Sequence, residues 1–205
     1  MQIEKGLLLP LASYPFIEEL KKRIGMYGIV NKAIESLVIE SFGVEKWDKI
    51  KESSDVEVDF FISNEPYDDD ITYSLAIAVA KEMNITVGDV LVAFGEYWVL
   101  KTAKEKYGNL LEAGGNSLRE FLINLPAFHN RIMLIYPKLT PPEFKVSHLE
   151  ETSLHLHYFS KRAGLKDFVV GLLQGLGKLY KTEVKLEVIN DRDNDFHHEI
   201  FKVSW

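Results

Sequence analysis

His129 is the first residue whose setting suggests chemistry. At about 100° per residue, Leu118, Leu122, Leu125, His129, Ile132 and Tyr136 fall within one narrow helical sector, so the imidazole sits mid-stripe on a core-facing side. A buried imidazole is costly unless both nitrogens are satisfied. A metal on one nitrogen, with a carbonyl or water on the other, satisfies both. A core histidine bonded to backbone fits the position equally. Tyr158, Ser160 and Arg162 form the second feature. Alternation along a strand from Leu154 to Ser160 and on to Arg162 places a phenol, a hydroxyl and a guanidinium on one face. Such a row suits carboxylates, because Arg takes them bidentately while hydroxyls donate singly, though a solvated strand face can show the same spacing. His155 and His157 share the opposite face, with the i, i+2 spacing some metal sites use. Only one of the adjacent His197 and His198 could join them.

Composition removes several alternatives. The 205 residues contain no cysteine, which excludes disulfides, thiolate metal sites and thiol nucleophiles. Lys and Arg total 24 against 31 Asp and Glu, and the net charge of −7 disfavours nucleic acid as a partner. The short basic run Lys21, Lys22, Arg23 reads as the polar face of a helix. No Gly-x-Ser-x-Gly, phosphate-cradling glycine loop or His-Glu-x-x-His helix is present, so no enzymatic activity is expected. No apolar run reaches the roughly 20 residues of a membrane span. Gly6 to Ala12 is too short, and contains Pro10, to read as an export signal, so a cytoplasmic location is expected.

The elements that must position these residues are mostly legible as periodicity. Residues 1–25 are loose around Pro10 and Pro15, then helical from Phe16 to Ile24. A helix from Met26 ends at Gly43, and another begins near Val44. Val56, Val58 and Phe60 alternate as a short strand. Asp68, Asp69 and Asp70 introduce a helix running to about Met83. Thr86 with Asp89, and Ser117 with Glu120, cap helices over Val87 to Lys106 and Leu118 to about Tyr136. Beyond Pro137, Pro141 and Pro142 the period becomes two, over Phe144 to Ser147, Leu154 to Ser160, Val184 to Ile189 and Ile200 to Val203, with one helix from Leu165 to Tyr180. Gly171, Gly175 and Gly177 read as close helix packing. The fold class is α+β: a helical N-terminal body, then a small antiparallel sheet carrying one helix.

Several spaced motifs occur together. Met26-Tyr-Gly-Ile-Val-Asn-Lys-Ala-Ile is followed by Phe94-Gly-Glu-Tyr-Trp98 and by Arg119-Glu-Phe-Leu-Ile-Asn-Leu-Pro-Ala-Phe-His129. Tyr136-Pro, Pro141-Pro142-Glu-Phe144 and His157-Tyr-Phe-Ser-Lys-Arg162 then follow in order. Jointly they resemble the haem nitric oxide/oxygen-binding (H-NOX) domain, the sensor module also found in soluble guanylate cyclase. The resemblance covers residues 26–205 and leaves 1–25 as an extension.

The resemblance implies non-covalent haem b buried between the helices and the sheet. It makes His129 the axial iron ligand, and Tyr158, Ser160 and Arg162 the propionate donors, with Asp69 pairing Arg162. Pro142 matches a proline that presses on the porphyrin. Ile34 and Trp98 fall at positions on the gas side, and Phe168 matches the place where oxygen-binding members carry tyrosine. Pro126 departs from the aspartate of many relatives. The implied function is sensing of nitric oxide and carbon monoxide, signalled by weakening or cleavage of the iron–histidine bond. With no room for an attached output domain, the expected partner is a separate histidine kinase or cyclic-di-GMP enzyme. The alternatives are a haem-free protein binding metal through His155 and His157, and a cofactor-free interaction module.

Overall fold

The computed structural model describes residues 25–137, 139–191 and 198–205. The helix expected over 16–24 and His197 lie outside them. β1 (Gly25–Tyr27) leads directly into α1 (Gly28–Phe42) and α2 (Val44–Ser53). The helix expected from Met26 therefore starts two residues later, because Met26 and Tyr27 pair antiparallel with β2 (Pro66–Asp68). The strand expected at Val56 to Phe60 does not form. Val56 and Val58 are half-buried between exposed neighbours, but among the described residues no ladder partner takes up their backbone groups. Phe61, rather than Phe60, enters the core.

α3 (Asp69–Met83) is capped by Asp68, whose carboxylate accepts the Asp70 N–H at 3.0 Å. α4 (Val87–Tyr97) carries the expected reciprocal cap between Thr86 and Asp89. Periodicity predicts that it runs unbroken to Lys106. Instead Trp98–Ala103 is a π-helix, and α5 (Lys104–Glu112) has a non-helical Tyr107 at φ −130°, ψ 22°. The wider π turn brings the consecutive residues Trp98 and Val99 onto the wall of one cavity.

α6 (Leu118–Ile135) runs continuously through Pro126. Ser117 caps it as expected, but the Glu120 carboxylate accepts from the Asn116 N–H. The last third is β3 (Glu143–Ser147), β4 (Ser153–Phe159), α7 (Lys166–Leu179), β5 (Lys185–Asn190) and β6 (Glu199–Ser204). The strands make one antiparallel sheet in the order β3-β4-β6-β5. The α+β architecture is as expected.

Two apolar cores result. One joins α1 to α4; the other joins α5, α6 and α7 to the inner face of the sheet, where Leu154, Leu156, Phe201 and Val203 are wholly buried. α4 and α7 bridge them by backbone approach. A Cβ on Gly171 would lie 2.1 Å from the Val92 carbonyl oxygen, and one on Gly95 would lie 2.3 Å from that of Phe168. Gly171→Ala is therefore expected to destabilise by about 1–3 kcal/mol through forced helix separation. A Cβ on Gly108 meets nothing within 4 Å. Gly108→Ala is expected to be neutral or stabilising by up to about 1 kcal/mol. Urea denaturation of both variants checks the contrast.

Candidate functional site

Between the two cores lies a cavity of about 260 Å³ whose wall is overwhelmingly apolar. Ile34, Trp98, His129, Pro142, Tyr158, Ser160, Arg162 and Phe168 all line it. Residues widely separated in the chain, read from the sequence as one set, thus converge on one space.

His129 projects from α6, part-buried between Phe144 and Phe128, with ring centroids at 5.1 and 5.7 Å. Its Nδ1 is 3.1 Å from the carbonyl oxygen of Leu125, one turn back. A carbonyl can only accept, so Nδ1 carries the proton and Nε2 keeps its lone pair. Pro126 lacks the N–H that would bond the Leu122 carbonyl, yet the helix continues to Ile135 and holds this contact. Burial pushes the imidazole pKa below its ordinary value, partly offset by the bond to Leu125. A neutral ring with a free Nε2 is the form that ligates a metal.

The polar side of the cavity is built differently from the expected strand row. β4 ends at Phe159, so Ser160 and Arg162 lie in the following turn, where Ser160 Oγ accepts the Arg162 N–H at 3.0 Å. Tyr158 alone stays on the strand, buried beside Phe144. Arg162 Nε donates to Asp69 Oδ2 at 2.7 Å, and Nη1 donates to the Thr140 carbonyl at 3.1 Å. The guanidinium thereby joins the start of α3, the loop before β3 and the turn after β4. Tyr73, one helical turn beyond Asp69, donates to the Ala163 carbonyl at 3.0 Å and completes this tie. Burial, then Asp69, raises its pKa.

Elsewhere the wall is aromatic. Phe168 stacks on Phe94 at 5.0 Å, and Trp98 meets Phe94 edge-on at 6.1 Å. Tyr107 and Tyr136 join their hydroxyls at 2.7 Å, fastening the end of α6 to α5. Sequence reasoning misses Tyr73, Tyr107 and Thr140. The spacing of Asp69 and Tyr73 on one helix face is the available signal for Tyr73.

A model of the haem-NO-binding family matches residues 27–188. The chain belongs to that family, as an H-NOX domain. Among solved structures, an S. oneidensis H-NOX protein in the Fe(II)NO ligation state superposes with a TM-score of 0.80 at 19% identity, covering 87% of this chain and 98% of that one. An unliganded Fe(II) H-NOX protein from K. algicida superposes with a TM-score of 0.74 at 25% identity, covering 87% and 96%. The soluble guanylate cyclase gcy-31 of Caenorhabditis elegans is 27% identical over 182 residues, covering 88% of this chain and 26% of that protein. For gcy-35 of the same organism the values are 30% over 168 residues, 80% and 24%. The chain spans about a quarter of the length of these curated relatives.

The alternative metal site does not assemble as expected in this H-NOX domain. His155 and His157 are on the outer face of the sheet, but His155 stacks on His148 while His157 contacts His198. Among the described residues no group of three or more His, Cys, Asp or Glu side chains is placed to hold a metal, and no helix is long and apolar enough to cross a membrane.

The low pKa of His129 has a consequence for stability. Below an ordinary pKa of about 6.5 the unfolded chain takes up a proton that the folded site resists, so stability falls as pH drops from there. In haem-free protein, His129→Gln is expected to make that decline shallower, with the remaining slope due partly to His155 and His157, also held low mainly by burial. Denaturation midpoints between about pH 5 and 8 check this; identical slopes would contradict it.

Proposed function

We propose that this H-NOX domain is a cytoplasmic haem-based sensor of nitric oxide and carbon monoxide, with no catalysis of its own. Its bounds are taken as residues 26–205, with 1–25 an extension. The observation that carries the reading is the 3.1 Å contact of His129 Nδ1 with the Leu125 carbonyl, which fixes the proton there and leaves the Nε2 lone pair on the wall of an apolar cavity. The absence of cysteine favours haem b held without covalent attachment. Haem, when bound, supplies the ferrous iron that binds the gas.

The chain's residues fit that group. His129 Nε2 would hold the iron. Tyr158, Ser160 and Arg162 bring hydroxyl and guanidinium donors to one edge of the cavity, where carboxylates would be held. Asp69 keeps Arg162 oriented there. Ile34 and Pro142 would supply apolar contacts to the porphyrin from the cavity wall. Phe168 and Trp98 line the same cavity and would face the gas; a phenyl ring cannot donate, so Phe168 would offer bound oxygen no stabilising hydrogen bond. Nitric oxide and carbon monoxide depend less on such a donor.

Signalling then runs through α6. A weakened hold on His129 Nε2 would free α6 and the sheet beyond Pro142 to shift against α1 to α4, giving two states a partner could distinguish. The partner we assign is a separate histidine kinase or cyclic-di-GMP enzyme.

Ferrous haem-loaded protein is expected to show a Soret band that shifts with nitric oxide and no lasting oxygen complex in air. His129→Gly is expected to lose the haem unless imidazole is supplied. Protein that stays colourless with adequate haem, or a His129→Gly variant with the parent spectrum, would contradict the proposal. A lasting oxygen complex would overturn the reading of Phe168.

A further inference from the structure

Between the end of β4 at Phe159 and the start of α7 at Lys166, residues Ser160 to Leu165 belong to no strand or helix. Their side chains still divide into two sides. Ser160, Arg162 and Leu165 line the cavity, while Lys161, Ala163 and Gly164 are exposed. This turn is therefore the partition between the cavity and solvent along the polar edge.

Its attachments differ in kind. Asp69 and the Thr140 carbonyl hold the Arg162 guanidinium at 2.7 and 3.1 Å, at the tip of a side chain with many rotamers, so they restrain the backbone behind it weakly. The bond from the Arg162 N–H to Ser160 Oγ lies within the turn and moves with it. Tyr73 acts on the main chain itself. Its hydroxyl reaches from α3 to the Ala163 carbonyl at 3.0 Å and fastens the turn to the helical body. Burial, then Asp69, raises the pKa of that hydroxyl, so it stays a donor at neutral pH. The next residue, Gly164, has φ +74°, and a Cβ there would meet nothing within 4 Å. A left-handed glycine in open space is a point where the chain can pivot. Latch and pivot are thus consecutive residues.

We infer that Tyr73 is a positioning residue for cofactor retention. Its bond to Ala163 keeps the turn closed over the cavity, and breaking that bond lets the turn swing about Gly164 and open the path by which a porphyrin enters and leaves. The inference rests on the haem reading of the cavity for its ligand, and on the geometry of Tyr73, Ala163 and Gly164 for its latch. Two contributions to retention then separate. Arg162 attracts the carboxylates, whereas the Tyr73 hydroxyl sets how often the wall that carries Arg162 moves away.

Tyr73→Phe isolates the hydroxyl, because the ring that lines the cavity stays. Losing this one hydrogen bond is expected to speed haem transfer from the loaded ferric protein to excess apomyoglobin about three- to tenfold, with the Soret band of the loaded protein unmoved. A second readout uses haem-free protein, where the absence of native cysteine lets a single introduced thiol report access. Val169 is buried and lines the cavity, whereas Val203 is buried on the sheet outside the cavity lining. Adding Tyr73→Phe is expected to speed thiol labelling of Val169→Cys by about the same factor and to leave that of Val203→Cys at its parent rate. Tyr97→Phe, which removes a hydroxyl bonded to Glu40 at 2.9 Å, is expected to change neither readout. A merely structural role for Tyr73 would speed labelling at both cysteines. That outcome, an equal effect of Tyr97→Phe, or haem transfer within about twofold of the parent rate would overturn the inference. Failure to take up haem at all would sink the reading of the cavity and the retention role with it; a loaded variant with the parent transfer rate would sink the retention role alone.

Discussion

An imidazole in an apolar wall has two nitrogens to account for, and the carbonyl of Leu125 accounts for one of them. That contact selects the tautomer, holds the ring against Phe144, and leaves Nε2 unprotonated beside the cavity. Much of the surrounding structure maintains it. Ser117 anchors the start of α6, the Tyr107–Tyr136 hydroxyl pair fastens its end, and the helix passes Pro126 without interruption.

The other end of the site depends on a cation that belongs to no single element. Arg162 draws together α3 through Asp69, the loop before β3 through Thr140, and the turn after β4 through Ser160. The Arg162 and Asp69 side chains are only 12% and 19% exposed, so their mutual attraction is less screened than a surface pair's. The backbone contact at Gly95 and Gly171 sets how closely α4 and α7 approach, and with it the stacking of Phe168 on Phe94. An ion pair and a close backbone approach thus both tie the helical body to the last third of the chain, and Arg162, Phe94 and Phe168 from these joins line the same cavity.

The legible part of this design is the part written in side-chain periodicity. The stripe through His129 and the switch from period 3.6 to period two follow from which faces are buried, and both appear in the fold. The cap at Thr86 is equally plain, because its two side chains satisfy named backbone groups. What stays hidden rests on backbone. The Leu125 and Thr140 carbonyls have no residue-type signature, and the π-helix at Trp98 adds one residue to a turn without disturbing the apolar spacing. Burial alternates over Val56 to Val58 but stops short of the exposed Phe60, and a strand also needs a partner, which periodicity does not supply. Tyr158, Ser160 and Arg162 line one cavity, but through a turn and not along a strand, since β4 ends at Phe159. His129 stands level with an ordinary core histidine until the spaced motifs are taken together.

The central claim is that His129 binds the iron through Nε2 while Nδ1 stays on the Leu125 carbonyl. A crystal structure of the ferrous, haem-loaded protein tests it most directly. The account predicts continuous density from iron to His129 Nε2, with the Nδ1 contact to Leu125 retained. Iron held by any other residue, or by Nδ1 with the Leu125 bond broken, would contradict it.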